Sequence, residues 1–231
     1  MSNTMIEAPK PAPVDVAEKP RQYTDVMIDF ETLGQTGNSV VLSGAYLLFD
    51  LEETENFDVL HARVQEFQFD IAEQMAADRR VDPATLKFWF EQAAKGVPVP
   101  GEWLGRRDWE TQGIAELCRA LEKSCVGSER LWWRGINLDG DILRSFPYAQ
   151  ALIDRMFDFR RLRDARTYVD EISAQMRGYS ADMFNEMRSA PRPVEQVHNA
   201  GWDCVYQVRD CQWCNSFLKA AAHALDREEM S

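Results

Sequence analysis

Two acidic residues, Asp29 and Glu31, stand at the end of an apolar segment that reads DVMIDF from Asp25 to Phe30. Side chains alternate between the two faces of a strand, so both carboxylates are predicted to point to one side while Phe30 enters the core. Two oxygen donors on one rigid element suit Mg²⁺ or Mn²⁺. The alternative interpretation is an ordinary solvated strand face.

A second acidic position lies where another predicted strand runs into Gly135. Asp139 follows that glycine and opens the next predicted helix, from which it can face the same edge of the sheet. Asp141 is a competing acid two positions further along. Either residue could instead serve only as a helix cap, because carboxylates are stabilised at the positive end of a helix dipole.

His198 and Asp203, in the segment HNAGWD, form the third candidate group. A separation of five residues does not place two side chains on one helical face. The pair therefore acts as a unit only if His198 lies on the approach loop and Asp203 lies in the first turn of the following helix. That arrangement would put a carboxylate beside bound metal ions and an imidazole one water molecule away. The alternative is that both residues are structural.

A sheet and its helices must bring these groups together. Apolar or alternating segments predict strands at 25–30, 40–49, 64–69, 131–133 and 157–159. Helical spacing and start signals such as Asp82-Pro83 predict helices over 71–78, 82–93, 109–125, 139–152 and 201–224. The first three strands, joined by short links, are expected to form an antiparallel meander. This order of elements indicates an α/β protein with a mixed five-stranded sheet flanked by helices.

The 231 residues are assigned to one domain between two tails. Residues 1–22 are rich in Pro, Ala, Lys and Glu without a hydrophobic period, which predicts a disordered tail. The domain is assigned to 23–225 and a C-terminal tail to 226–231. The sequence contains neither an apolar run of membrane-spanning length nor the apolar core of a secretion signal, so we expect a cytoplasmic protein without a membrane partner.

The net charge of −12 argues against a broad basic face for nucleic acid. It does not exclude a nucleic-acid enzyme, because two divalent cations would neutralise four clustered carboxylates and so reverse the local field. The five cysteines form no regular disulfide framework, which predicts free thiols. Cys204, Cys211 and Cys214 are expected on one face of the last helix as buried thiols, since a zinc site would need a fourth ligand.

Six short stretches combine these motifs in one order: DFETLG at 29–34, LSGAY at 42–46, ATLKFW at 84–89, GINLD at 135–139, RDARTY at 163–168 and HNAGWD at 198–203. Together they resemble the DEDDh 3'-5' exonuclease superfamily, which has the ribonuclease H-like fold. Within it the chain is most similar to the exonuclease A-like and bacterial 3'-5' exoribonuclease group. The last stretch fits the motif His-x-Ala-x-x-Asp in full, whereas Leu138 replaces a more usual aromatic residue.

The resemblance implies hydrolysis of phosphodiester bonds from the 3' end of single-stranded nucleic acid, with RNA favoured over DNA. It implies two divalent cations, Mg²⁺ or Mn²⁺, about 4 Å apart. The carboxylates expected to bind them are Asp29, Glu31, Asp139 and Asp203. His198 would be the general base, because the pKa of imidazole lies near neutral pH.

Three further residues are expected to contact the substrate. The resemblance places Thr32 and Leu33 against the terminal nucleotide and its ribose, although Leu33 could equally belong to the core. Arg166 ends the basic stretch RRLRDAR, which could hold phosphates or form a solvated face with internal salt bridges. Trp89 and Trp202 could stack on bases, but their helical spacing among apolar neighbours favours packing in the interior.

A function of another class is a catalytically idle nuclease fold that acts as a binding module for nucleic acid or protein. The acidity and the long N-terminal segment motivate this alternative. The five filled catalytic positions argue against it, because an idle site has no physical reason to keep repelling groups together. The expected partners are 3' ends of single-stranded RNA or DNA, and the resemblance also suggests a homodimer.

Overall fold

The structure, a computed structural model, describes residues 22–99, 113–176 and 192–229, so the predicted N-terminal tail lies outside the described residues apart from Gln22. A mixed sheet with the strand order β3-β2-β1-β4-β5 forms the centre of this described part. Its strands are β1 (Asp25–Thr32), β2 (Val41–Phe49), β3 (Gln65–Gln68), β4 (Arg130–Trp133) and β5 (Leu162–Asp164).

The pairing of the strands confirms the predicted mixed five-stranded sheet. β1 is antiparallel to β2, and β2 is antiparallel to β3, which is the expected meander. β4 runs parallel to β1, and β5 runs parallel to β4. Since the carboxyl ends of parallel strands meet at one edge of a sheet, the residues that end β1, β4 and β5 are brought together there.

Helices flank the sheet on both faces. They are α1 (Phe57–His61), α2 (Ile71–Ala76), α3 (Pro83–Ala94), α4 (Ile114–Ser124), α5 (Asp141–Arg144), α6 (Pro147–Met156), α7 (Ala165–Met176) and α8 (Ala200–Glu229). The start of α3 follows the predicted signal, because the Asp82 side chain accepts a hydrogen bond from the Ala84 N–H and Pro83 occupies the first turn. Within the described ranges, no helix has both the length and the apolar character that crossing a bilayer requires.

The alternation along β1 divides the core between the two faces of the sheet. Ile28 packs in a cluster with Leu117 and Leu121 of α4. Met27 packs on the opposite face with Cys204 and Val208 of α8. Since side chains two residues apart point the same way, the odd-numbered positions of β1 face α8. This geometry directs the carboxylates of β1 towards the last helix.

Two predicted elements are wrong. The strand expected at 157–159 lies instead at β5, and 159–161 form a 3₁₀ turn that begins where Asp158 accepts a hydrogen bond from the Arg160 N–H. The helix expected over 139–152 is divided into a π-helical turn at 136–140 followed by α5 and α6. The break falls at Phe146, which is extended, because a residue before proline is disfavoured in the helical region.

Other boundaries differ from the prediction in simpler ways. Helices α1 and α7 were not predicted. α8 continues to Glu229, into the segment assigned to the C-terminal tail. The helix expected over 109–125 is described from Ile114 to Ser124, and residues 109–112 of it lie outside the described residues.

A buried carboxylate anchors the start of β1. Asp25 is fully buried and accepts hydrogen bonds from Arg130 Nε at 2.6 Å and Nη2 at 2.7 Å, and from Trp132 Nε1 at 2.7 Å. The backbone N–H of Leu51 also donates to it at 3.2 Å. The network joins β1 to β4 and to the residues that follow β2, so it fixes the register of the central strands.

We predict that Asp25→Ala destabilises the protein by about 3–5 kcal/mol, because it leaves a partly buried guanidinium and an indole N–H without their acceptor. The measurement is the free energy of unfolding in urea. Asp154→Ala is the control, since Asp154 is an exposed residue of α6 and should change stability by less than about 0.5 kcal/mol. An Asp25→Ala protein within about 1 kcal/mol of the wild type would refute this role.

Candidate active site

An open pocket of about 780 Å³ lies at the edge of the sheet where β1, β4 and β5 end. Its lining includes the five residues singled out from the sequence: Asp29, Glu31, Asp139, His198 and Asp203. Arg134, Asp164 and Arg166 also line it. The structure therefore brings residues from three distant motifs to one place.

The first two carboxylates come from β1. Asp29 and Glu31 are 8% and 9% exposed and share the face of the sheet that α8 covers. Phe30, between them, packs on the opposite face against Gly44 of β2, where a Cβ atom would lie 2.6 Å from the ring. A glycine at the paired position lets the ring pack there, which keeps the two carboxylates directed towards the pocket.

Burial and like charge act together on these two carboxylates. Burial raises the pKa of Asp29 well above its usual range, and the negative charges of Asp139 and Asp203 raise it further. Burial likewise raises the pKa of Glu31, with additional contributions from Asp29 and Asp203. Without a cation, the site therefore favours protonation of carboxylates that would be ionised in water at neutral pH.

The third carboxylate follows β4 in the π-helical turn. Asp139 is buried and lines the pocket, whereas Asp141 is exposed and does not line it. Burial raises the pKa of Asp139 to about 7, although backbone N–H groups of Gly135 and Phe30 lower it. Of the two competing acids, the structure places Asp139 in the pocket.

Asp164, at the end of β5, holds the loop that precedes Asp139. One of its carboxylate oxygens accepts a hydrogen bond from the backbone N–H of Ile136 at 3.0 Å, and the other accepts from the N–H of Thr167 at 2.7 Å. The second contact lies in the first turn of α7. Asp164 therefore links the second acidic loop to β5 and α7.

The third motif has the local structure expected from its spacing. α8 begins at Ala200, and Asp203 lies in its first turn. Asn199 precedes the helix and accepts a hydrogen bond from the Trp202 N–H at 2.9 Å, as a helix cap does. His198 lies on the approach loop with φ of 53°, a left-handed conformation that is uncommon for residues other than glycine.

Aromatic rings surround His198. Its imidazole makes edge-on contacts with Phe88 and Trp89, with ring centroids 5.1 and 5.9 Å away. Burial lowers the pKa of His198, while the neighbouring charge of Asp203 raises it. The net direction favours the neutral imidazole, which can accept a proton.

The donor set fits divalent cations. Ligand atoms of Glu31, His198 and Asp203 all lie within 4.8 Å of one another. Asp203 is close enough to Glu31 to raise the pKa of the Glu31 carboxyl further, although burial is the larger cause. Hard oxygen donors held this closely suit Mg²⁺ or Mn²⁺. A bound cation would also offset the repulsion among the buried carboxylates.

Sequence reasoning missed three residues of this site. Arg192 Nη1 donates to Asp203 Oδ1 at 2.6 Å, and its guanidinium lies 3.9 Å from the centroid of the Tyr206 ring. Gln207 Nε2 donates to Asp29 Oδ1 at 2.7 Å. Arg134 lines the pocket, and its charge lowers the pKa of Asp29 against the larger effect of burial. Of these three residues, only Gln207 could have been found from the sequence, because it lies one helical turn after Asp203.

The three predicted substrate contacts have different positions. Arg166 lines the pocket. Thr32 and Leu33 do not line it, because the Thr32 hydroxyl donates to the Gly34 carbonyl at 2.6 Å and Leu33 packs in a core cluster with Trp89. A contact of Thr32 or Leu33 with a terminal nucleotide stays a prediction.

Other features singled out in the sequence have structural partners. Trp89 is buried and its Nε1 donates to the Thr32 carbonyl at 2.8 Å, whereas Trp202 is partly buried and stacks on His61 at 4.0 Å. Arg163 donates to the carbonyls of neighbouring residues. The five cysteines are buried free thiols, and within the described residues none of them belongs to a metal-ligand group.

Known proteins resemble this chain in sequence and in fold. The exodeoxyribonuclease of enterobacteria phage T4 is 23% identical over 229 residues, covering 89% of this chain and 95% of the phage protein. The fold is similar to the RNase domain of the yeast Pop2 protein, with a TM-score of 0.51 at 11% identity, covering 84% of this chain and 78% of that one. It is also similar to the Mg²⁺- and Mn²⁺-bound form of S. pombe Pop2p, with a TM-score of 0.52 at 14% identity, covering 84% and 83%.

A family described as the 3'-5' exoribonuclease Rv2179c-like domain matches residues 24–214, which include all five convergent residues of the pocket. The match covers most of the chain and most of its described core. The protein therefore belongs to the 3'-5' exoribonuclease Rv2179c-like domain family and is a 3'-5' exonuclease of the DEDD superfamily.

Proposed function

We propose that this protein hydrolyses phosphodiester bonds from the 3' end of single-stranded nucleic acid with two divalent cations and His198 as general base. The convergence in one pocket of four carboxylates and an imidazole carries the proposal. We favour RNA over DNA as the substrate, because the family is described as an exoribonuclease domain. The phage relative is named an exodeoxyribonuclease, which makes DNA the substrate to compare. The suggested homodimer stays a prediction.

The residues proposed to hold the cations are Asp29, Glu31, Asp139 and Asp203. When bound, the two ions would help to deprotonate the attacking water and neutralise the charge on the phosphate and on the leaving 3' oxygen. The burial of these carboxylates supports this role, because in a site of low dielectric each ionised group needs a nearby positive charge. S. pombe Pop2p, a structural neighbour, has a form with Mg²⁺ and Mn²⁺ bound.

His198 is proposed to take the proton from the attacking water. Its loop position lets the imidazole reach the pocket while Asp203 stays on the helix. Phe88 and Trp89 hold the ring from the side. Since burial lowers the pKa of His198, the neutral form predominates near pH 7 and the ring is ready to accept a proton.

Arg166 and Arg134 are proposed to contact the phosphates of the substrate. Both line the pocket, and both charges act on the carboxylate of Asp139. Guanidinium groups bind phosphate oxygens through paired hydrogen bonds. Arginines at the pocket would also explain how an acidic protein can attract a polyanion at one place on its surface.

The test uses matched 5'-labelled RNA and DNA oligonucleotides with Mn²⁺ or Mg²⁺. The wild type should produce a ladder that shortens from the 3' end, faster on RNA. We predict that Asp29→Asn lowers the rate about a hundredfold or more, because charge stabilisation worth several kcal/mol is removed from the transition state. Asp141→Asn is the matched control and should remain active. Cation binding without degradation of either substrate would favour the idle binding module instead.

Asp29→Asn should also raise the thermal stability of the cation-free protein, whereas a substitution that only damages the structure would lower it. The folded pKa of Asp139 is raised from 3.8 to about 7, so its stabilising contribution is complete below pH 3.8 and is lost as the pH rises through 7. Asp29 and Glu31 shift in the same direction. In EDTA at pH 8, removal of one charge should therefore raise the Tm, by about 2–4 °C per kcal/mol gained. Mn²⁺ should stabilise the wild type more than the variant.

His198→Ala is predicted to lower kcat about a hundredfold, within the range usual for a lost general base, while KM changes little. Steady-state kinetics on a labelled oligonucleotide give both constants. His61→Ala is the control, because His61 is also partly buried and stacks on Trp202 without lining the pocket. Unchanged kcat in His198→Ala would exclude the proposed base, and lost Mn²⁺ binding would indicate that His198 is a ligand.

Arg166→Ala is predicted to raise KM. It should also lower the slope of log KM against log salt concentration by about one unit, because one phosphate contact is lost. Arg161→Ala is the matched control from the same basic stretch, since Arg161 is exposed and does not line the pocket. KM is measured between 50 and 200 mM salt, about the range over which phosphate contacts are resolved. Equal salt slopes for the two variants would contradict the contact.

A further inference from the structure

We infer that Gln207 is a positioning residue of this site, whose side-chain amide holds the Asp29 carboxylate in the orientation that binds cations. The inference rests on the proposed function, because it concerns how that site binds its ions. It assigns a role to a residue that lies outside the three acidic motifs.

The contact is direct and buried. Gln207 is 4% exposed, and its Nε2 donates to Asp29 Oδ1 at 2.7 Å. It lies one turn after Asp203 on α8, so that both side chains leave the same face of the helix. One helix face therefore presents a carboxylate and an amide donor to the end of β1. The hydrogen bond occupies one oxygen of Asp29 and limits rotation of the carboxylate.

The NH₂ end of Gln207 faces Asp29 in the structure. This is the orientation that an ionised, metal-binding carboxylate requires, since such a group accepts hydrogen bonds and donates none. Its Oε1 is then buried, and it has no hydrogen-bond partner among the described residues. A buried acceptor without a partner is destabilising, whereas an apolar side chain of the same shape would avoid that cost. This cost favours a role in the site over a role in packing.

A neutral donor suits this position better than a cation does. The amide holds the Asp29 carboxylate through a hydrogen bond and adds no charge to the site. A Lys or Arg at the same place could also hold the carboxylate, but its charge would repel divalent cations. Gln207 thus orients the Asp29 carboxylate without adding a positive charge that would compete with the cations for it. Hydrogen-bond partners that orient metal ligands typically contribute 10–100-fold to metal affinity or activity.

The experiment compares Gln207→Met with Gln212→Met in the full-length protein. Gln212 is a fully buried residue of the same helix, donates to the Asp50 carbonyl at 3.0 Å and accepts from the Glu55 N–H at 3.3 Å, and does not line the pocket. Both substitutions keep the side-chain volume and remove the amide. Mn²⁺ affinity is measured by titration calorimetry without substrate, Tm is measured in EDTA, and kcat and KM are measured on a labelled oligonucleotide. Gln207→Leu repeats the measurement if the Met variant does not fold.

We expect Gln207→Met to weaken Mn²⁺ binding by about tenfold or more and to lower kcat with little change in KM. Gln212→Met should lower the Tm while its Mn²⁺ affinity stays within about twofold of the wild type. Equal Mn²⁺ affinity in Gln207→Met and wild type would overturn the positioning role and leave the proposed function intact. A wild type that binds no Mn²⁺ would overturn the proposed function and this inference with it.

Discussion

The mutual repulsion of buried carboxylates is the interaction on which this structure depends. Asp29, Glu31 and Asp203 are at most 9% exposed and adjoin one another at the edge of the sheet. Burial and neighbouring negative charge both oppose the ionisation of Asp29 and Glu31. Such a cluster costs free energy unless cations are present, so the fold around it must be rigid enough to hold it together.

The central strand and the last helix supply that rigidity. β1 is hydrogen-bonded to a strand on each side, and its first residue, Asp25, is fixed by Arg130 and Trp132 of β4. α8 packs its buried Cys204 and Val208 against the face of the sheet on which Met27 of β1 lies. Strand and helix therefore meet along an apolar interface that ends at the pocket. These contacts fix the positions of the carboxylates that are proposed to bind the cations.

Arginines at the pocket make the local electrostatic field there less negative than the net charge of the whole chain suggests. The net charge of −12 describes the entire chain, whereas a substrate that approaches the pocket meets the local field. Arg192 pairs with Asp203, and Arg134 and Arg166 line the same pocket. Positive charge is thus placed beside the buried carboxylates. The proposed cation site and the proposed phosphate contacts would share this local arrangement of charge.

Local rules in the sequence were sufficient for much of the fold and for the core of the site. The period of two along β1, the start of α3 at Asp82-Pro83 and the loop-to-helix spacing from His198 to Asp203 depend only on neighbouring residues. The sequence failed where the outcome depended on distant partners. Phe159 is apolar but 72% exposed, and the strand next to β4 forms instead at 162–164.

What the sequence determined by itself was the type and order of the acidic motifs, because residue types and short spacings carry that information. The tertiary structure decided which side chains meet. It placed Asp139 in the pocket and Asp141 outside it, and it set Gln207 against Asp29 across a long stretch of chain. Contacts of this kind depend on how helices pack on the sheet, and the packing is fixed by the burial of the whole core rather than by any local pattern.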